Sequence, residues 1–158
     1  MTTAPISEAR RVMSGLEYMR RVAAGEIERG PMVRLLGIQF AEIEEGRVVV
    51  TAEPKHDFEN GLGIAHGGLA AAILDTALGC AVNSVMPAGK IFTTLEMKVN
   101  FTRAVTVRNG LLTCTATVLH AGSKTATSEG RIVDARGKLC AHGTATFILF
   151  KDLTEEKR

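Results

Sequence analysis

The chain has 158 residues, 46% of them hydrophobic and 23% charged, with a formal net charge of +2. That length suits one domain that buries a core without a disulfide or metal staple, and the hydrophobic content excludes a disordered chain. Seven aromatic residues in all, and no basic run beyond Arg10-Arg11 or Arg20-Arg21, speak against a nucleic-acid surface.

The N-terminal stretch MTTAPISEARR shows no secretory pattern, and no apolar run reaches 18 uncharged residues, so the expectation is a cytoplasmic chain without a membrane span. Ser14 and Glu17 have capping-box spacing, Val12, Leu16, Met19 and Ala23 recur at helical intervals, and Gly25 follows as a stop. Pro31 to Leu36 predicts a second short helix, ended by Gly37. Ile38–Ile43 and Arg47–Glu53 then read as a hairpin through Glu44-Glu45-Gly46. The segment His66 to Met86 predicts a helix of roughly 30 Å stopped by Pro87. Its middle is apolar all the way round, the mark of a buried helix.

Four segments follow with period-two alternation: Phe92–Phe101, Leu111–Leu119, Thr125–Val133 and Leu139–Phe150. Short connections make the sheet largely antiparallel, with one face buried on the central helix. Cys80, Cys114 and Cys140 are odd in number and share no short spacing, which reads as reduced, mostly buried thiols. The four histidines show no metal-ligand spacing, so no metal is expected.

Two features point to chemistry. Asp75 sits in the apolar helix, and its neighbours at three and four positions, Ala71, Ala72, Leu78 and Gly79, cannot pair with a carboxylate. It is either a structural Asp satisfied from elsewhere or a catalytic carboxylate. The second feature is the helix entry, where Gly61, Gly63, Gly67 and Gly68 crowd the stretch from Asn60 to Gly68. Two glycines in a first turn weaken a helix by about 1 kcal/mol each. Their use there is close backbone approach to a ligand, with free N–H groups and the positive helix end facing a developing oxyanion. The bland alternative is a tight entry with His66 near the N-cap. Gly67 and Asp75, eight residues apart, are expected to face one groove. No G-x-S-x-G elbow is present, and Gly122-Ser123-Lys124-Thr125 reads first as a β-turn.

Asn60-Gly61, Ala65-His66-Gly67-Gly68 and Leu74-Asp75-Thr76-Ala77 at these spacings resemble the motif of hotdog-fold acyl-CoA thioesterases, most closely the phenylacetate-degradation (PaaI-like) type. The resemblance covers about Leu36 to Phe150 and implies an α+β hotdog domain over 35–151. It leaves 1–34 as an N-terminal helical extension and 152–158 as a charged tail. It further implies a homodimer or homotetramer with sites across the dimer interface, an acyl-CoA substrate and no cofactor beyond the coenzyme A of that substrate. Asp75 would be the nucleophile or the base on a water, the Gly67 N–H would polarise the carbonyl, and Asn60 would position the carbonyl or the water. His66 belongs to the same catalytic motif, with Gly68 beside the substrate. Thr94, from the partner chain, matches a hydroxyl that holds the attacking water. Alternation puts Thr94 with Glu96 and Lys98 on the polar face, so Thr93, on the Leu95 face, is the alternative should the strand bulge. Arg103 and the turn of His120, Gly122, Ser123, Lys124 and Thr125 are candidates for the phosphates of coenzyme A. Leu69, Ile73 and Met97 are apolar lining candidates. An acyl-CoA-binding module and a hotdog hydratase remain the rival readings.

Overall fold

The computed structural model describes residues 6–151; the tail 152–158 lies outside the described residues. Three short helices come first: α1 (Ile6–Val12), α2 (Gly15–Ala23) and α3 (Pro31–Leu35). The hairpin β1 (Gln39–Glu44) and β2 (Arg47–Ala52) leads to the long helix α4 (Gly67–Ser84). The strands β3 (Lys90–Phe101), β4 (Leu112–Ala121), β5 (Thr125–Val133) and β6 (Leu139–Lys151) complete one sheet, in the order β1-β2-β4-β5-β6-β3 with every pairing antiparallel. The expected elements are present to within a few residues. The first helical run is the exception, since it breaks at Met13-Ser14 into α1 and α2.

The break has a local cause. Ser14 caps α2 by accepting from the Glu17 N–H at 3.2 Å, and the Gly15 N–H donates to Met86 O at 2.8 Å. A Cβ on Gly15 would stand 1.7 Å from Asn83 O, so only glycine lets α2 start against the end of α4.

The sheet curls around α4 and buries Ile73, Leu74, Ala77, Leu78, Ala81 and Val82 against Val48, Val50, Cys114, Ala126, Ile132 and Phe147. Burying each of the large aliphatic side chains contributes about 1.5–3 kcal/mol. Gly130 and Gly143 pair in register beneath the helix. A Cβ on Gly130 would meet Leu78 Cδ2 of the helix at 3.2 Å, and one on Gly143 would meet Lys98 O of β3 at 2.5 Å, so the missing Cβ atoms let the helix approach the sheet and β3 approach β6 closely. Register shifts at Phe40/Glu42, Thr94/Glu96, Val118/His120 and Ile132/Val133 add the local twist that curling requires.

The expected all-round burial of α4 is corrected here. One sheet covers one side, and the face carrying Gly68 and Asp75 is left exposed. The cysteines are free thiols, Cys114 and Cys140 buried and Cys80 half-buried. The two sheet edges differ. On β1, Glu42 and Glu44 pair with Arg47 of β2 at 2.5 Å and 3.4 Å, whereas Thr93, Thr94, Leu95 and Glu96 of β3 are exposed.

Asp134 ties the β5–β6 turn to the loop before β4. Its carboxylate accepts from the Lys138 N–H at 2.9 Å, the Arg136 N–H at 3.0 Å and Asn109 Nδ2 at 3.0 Å. These bonds, the Lys138 N–H foremost, hold its carboxyl below the usual range. A depressed carboxyl stabilises the fold above its unfolded value of about 3.9 and loses that effect as pH falls through the folded one. Asp134→Ala is therefore expected to lower Tm at pH 7, with the gap to wild type narrowing below about pH 3.9 in thermal melts.

Candidate active site

The entry to α4 is a tight loop held by backbone bonds. Asn60 donates its N–H to Ile64 O at 2.8 Å and accepts from the Gly63 N–H at 3.0 Å. Its Oδ1 takes the Leu62 N–H at 2.9 Å, an Asx turn that leaves the Nδ2 hydrogens unpartnered among the described residues. Beyond the turn, the His66 N–H donates to Phe58 O at 2.7 Å and the Ala65 N–H to Val105 O at 2.8 Å. The loop thereby presents its ends to a fixed point.

His66 is the N-cap of α4. Its Nδ1 accepts from the Gly68 N–H at 2.9 Å, which leaves the ring proton on Nε2. A Cβ on Gly68 would lie 2.9 Å from that same Nδ1, so the second glycine is what lets the cap close. A Cβ on Gly67 would lie 3.2 Å from the Phe101 ring. The Gly67 N–H, in the first turn, has no intrahelical acceptor and no other partner among the described residues. It opens on a cavity of about 360 Å³ lined by Asn60, His66, Gly67, Leu69, Phe101 and Arg103, among others. Phe101, 59% exposed, was not anticipated; its only signal was a bulky residue ending the β3 alternation next to Asn100.

Asp75 lies elsewhere. It sits on the uncovered face of α4, and Thr94 Oγ1 donates to its Oδ1 at 3.0 Å. The register shift at Leu95 explains why Thr94 points there. Thr94 opposes the buried Phe147 and Glu96 opposes Thr146, so strict alternation fails at this bulge. Thr93 instead opposes Ile148 on the outer face. The bulge thus brings Thr94, not Thr93, to the helix, where it meets Asp75 of its own chain.

The single groove expected for Gly67 and Asp75 is also corrected. Eight residues of helix separate them by about 12 Å, too far for both to touch one carbonyl. Asp75 does not line the Gly67 cavity. Ile73 is fully buried in the core, while Leu69 lines that cavity. The phosphate candidates are likewise split. Arg103 lines the cavity just past the end of β3, whereas the 120–125 turn lies by its start, with Lys90 Nζ donating to Ser123 O at 3.2 Å. That turn closes through the Gly122 N–H on Thr125 O at 2.8 Å, with the His120 and Lys124 side chains exposed.

Removing the cap by His66→Ala is expected to cost about 1 kcal/mol in urea unfolding. His66→Asn, which also caps well, is expected to restore most of it.

Comparison with known proteins adds to this geometry. The model of the thioesterase superfamily matches residues 62–141, just over half of the chain. A 1,4-dihydroxy-2-naphthoyl-CoA hydrolase of Listeria monocytogenes is 27% identical over 117 residues, covering 73% of this chain and 93% of the relative. The structure of the Escherichia coli PaaI protein, from the phenylacetic acid degradation operon, is similar at a TM-score of 0.75 and 28% identity, over 87% of this chain and 95% of that one. A conserved protein of Pseudomonas aeruginosa is similar at a TM-score of 0.72 and 30% identity, over 77% of this chain and 95% of the other. The α4 entry and the Asp75–Thr94 pair therefore stand on a hotdog fold, and the chain belongs to the thioesterase superfamily as a thioester hydrolase.

Proposed function

We propose that the chain hydrolyses acyl-CoA thioesters to the free acid and coenzyme A, in sites shared between two copies. The observation that carries this reading is the Asp75–Thr94 pair on the uncovered face of α4, eight residues from an unpartnered helix-N-terminal N–H. Neither half suffices alone. Two copies related by a two-fold axis near Ala71 would set Gly67 of one against Asp75 of the other, since residue 71 is the midpoint. Gly68, Ala71 and Ala72 supply small side chains for that crossing. The unguarded edge of β3 offers the backbone groups for pairing in the same arrangement.

In such a site the Gly67 N–H and the positive end of α4 polarise the thioester carbonyl, with the Asn60 amide as second donor. Asp75 either attacks the carbonyl carbon or takes a proton from a water held by Thr94. In the base route, water oxygen bonds to the carbonyl carbon, the C–S bond breaks, and the proton passes through Asp75 to the thiolate. In the nucleophile route, Asp75 attacks, the C–S bond breaks and the thiolate leaves as an acyl-aspartyl anhydride forms; water then cleaves the anhydride to the free acid and the Asp75 carboxylate, and the proton released goes to the thiolate. Antiparallel copies also exchange the ends of β3, about 36 Å apart, which brings Arg103 of one beside the His120–Thr125 turn of the other. Cations there suit the phosphates of coenzyme A. A cytoplasmic location suits such a substrate and the three free thiols.

Asp75→Asn is expected to lower turnover of acyl-CoA at least about a hundredfold while the fold and acyl-CoA binding persist. A loss of only a few-fold removes Asp75 from the mechanism. Thr94→Val is expected to have a smaller effect, exceeding that of Thr93→Ala. The shared site has its own test: inactive Asp75→Asn and Asn60→Ala chains, co-expressed, are expected to regain activity because mixed dimers hold one intact site. No recovery means that each chain works alone.

A further inference from the structure

The connection between α4 and β3 is short, Val85 to Gly89, and its two arms carry the Asp75–Thr94 pair. Arg10 of α1 clasps that connection from outside. Its guanidinium donates to Asn83 Oδ1 before the turn and to Lys90 O after it, the latter at 2.9 Å. Its own carbonyl accepts the Gly89 N–H at 2.9 Å, within the turn. Arg10 is 7% exposed, and no carboxylate among the described residues pairs with it. Its Cζ lies 5.3 Å from the centre of the Tyr18 ring, and its Nε is the only buried side-chain nitrogen or oxygen without a partner among the described residues. A buried cation met by neutral groups alone is costly, and an orphaned donor adds to that cost. What the guanidinium contributes is geometric: one planar fork holds acceptors on two elements at a fixed spacing.

The clasp and the pair occupy two ends of one packed seam. Asn83 lies eight residues from Asp75 along α4 and Lys90 four from Thr94 along β3, about 12–13 Å by either count. Between them Phe92 of β3 fills the place beside the buried Gly79, where a Cβ would stand 3.3 Å from its ring. The same ring meets Phe147 edge-on at 5.5 Å. The seam is therefore closed. As an edge strand paired only with β6, β3 takes its distance from α4 from that packing and from the clasp. Close-packed elements pass a shift along instead of absorbing it.

We propose that Arg10 is a positioning residue: by clasping Asn83 to Lys90 it fixes the spacing of α4 and β3 at which Thr94 Oγ1 reaches Asp75. It touches no reacting group and acts through Thr94. The inference rests on the reading of Asp75 and Thr94 as the catalytic pair.

A double-mutant cycle tests this. It measures kcat and KM for the ester that wild type cleaves fastest among phenylacetyl-, hexanoyl- and palmitoyl-CoA, well below the melting transition of the least stable chain. Arg10→Met is expected to lower kcat at least about threefold, though no further than Thr94→Val does, with KM within about twofold of wild type. In the Thr94→Val background the same change is expected to cost less than about twofold, because the bond it positions is already gone. A larger loss there means that Arg10 acts on its own or only supports the fold, and overturns the proposal. So does a smaller loss in the wild-type background, or one carried by KM instead of kcat. A crystal structure of Arg10→Met checks the geometry without substrate: Thr94 Oγ1 is expected beyond about 3.5 Å from both Asp75 oxygens, and an unmoved pair overturns the proposal. Should Arg10→Met not fold, Arg10→Lys, which keeps the charge and drops the planar fork, decides by the same distance and by whether its loss vanishes with Thr94→Val. Failure of the catalytic reading looks different, because the pair would then separate in Arg10→Met while Asp75→Asn remained active.

Discussion

One sheet cannot enclose an apolar helix on every side, and the rest of the molecule answers that geometric shortfall. The β-sheet takes the Ile73, Leu74, Ala77 and Leu78 side of α4 and leaves the Gly68 and Asp75 side open. That open face holds the Asp75 carboxyl without burying it, receives Thr94 from the edge strand and ends at the α1–α2 cluster. If Asp75 lay under the sheet, its charge would have to be matched or lost. On the open face it stays accessible to a reactant.

The two halves of the site use backbone and side chain differently. At the helix entry the working groups are N–H donors, so the local design is subtractive. Gly68 leaves room for the His66 ring, and Gly67 leaves room for Phe101. At Asp75 the working groups are side chains, and the device is a bulge that turns one hydroxyl through half a strand period. Donors placed on rigid elements need little reorganisation when charge develops, which is the main source of electrostatic catalysis.

Much of this was legible in the residues. Strand alternation, Pro and Gly punctuation and the apolar run of α4 all act locally, so they forecast the elements and a sheet wrapped on a central helix, while the family resemblance supplied the hotdog fold. The Asn60, His66-Gly67 and Asp75 spacing marked the α4 entry and the Asp75 position before either was placed in the fold. What the sequence left out depends on contacts between distant segments. Thr94 could not be oriented, because a one-residue bulge reverses the faces of β3 without any glycine or proline to announce it. The separation of Gly67 from Asp75 was arithmetically available in their eight-residue spacing, about 12 Å of helix. In the sequence Arg10 shows only as a short pair with Arg11, and its burial comes from docking on Asn83, 73 residues away.

The unequal sheet edges set a limit on growth. On β1, a register shift at Phe40/Glu42 and the Glu42–Arg47–Glu44 ion pairs make a crooked, hydrated border on which another strand gains little. On β3 the border is long and open. A sheet with one receptive margin can join a single neighbour, and the two-fold union proposed above would consume both receptive margins at once. The same backbone valence that could propagate a fibre would thereby be spent in one closed event, leaving the outer margins inert.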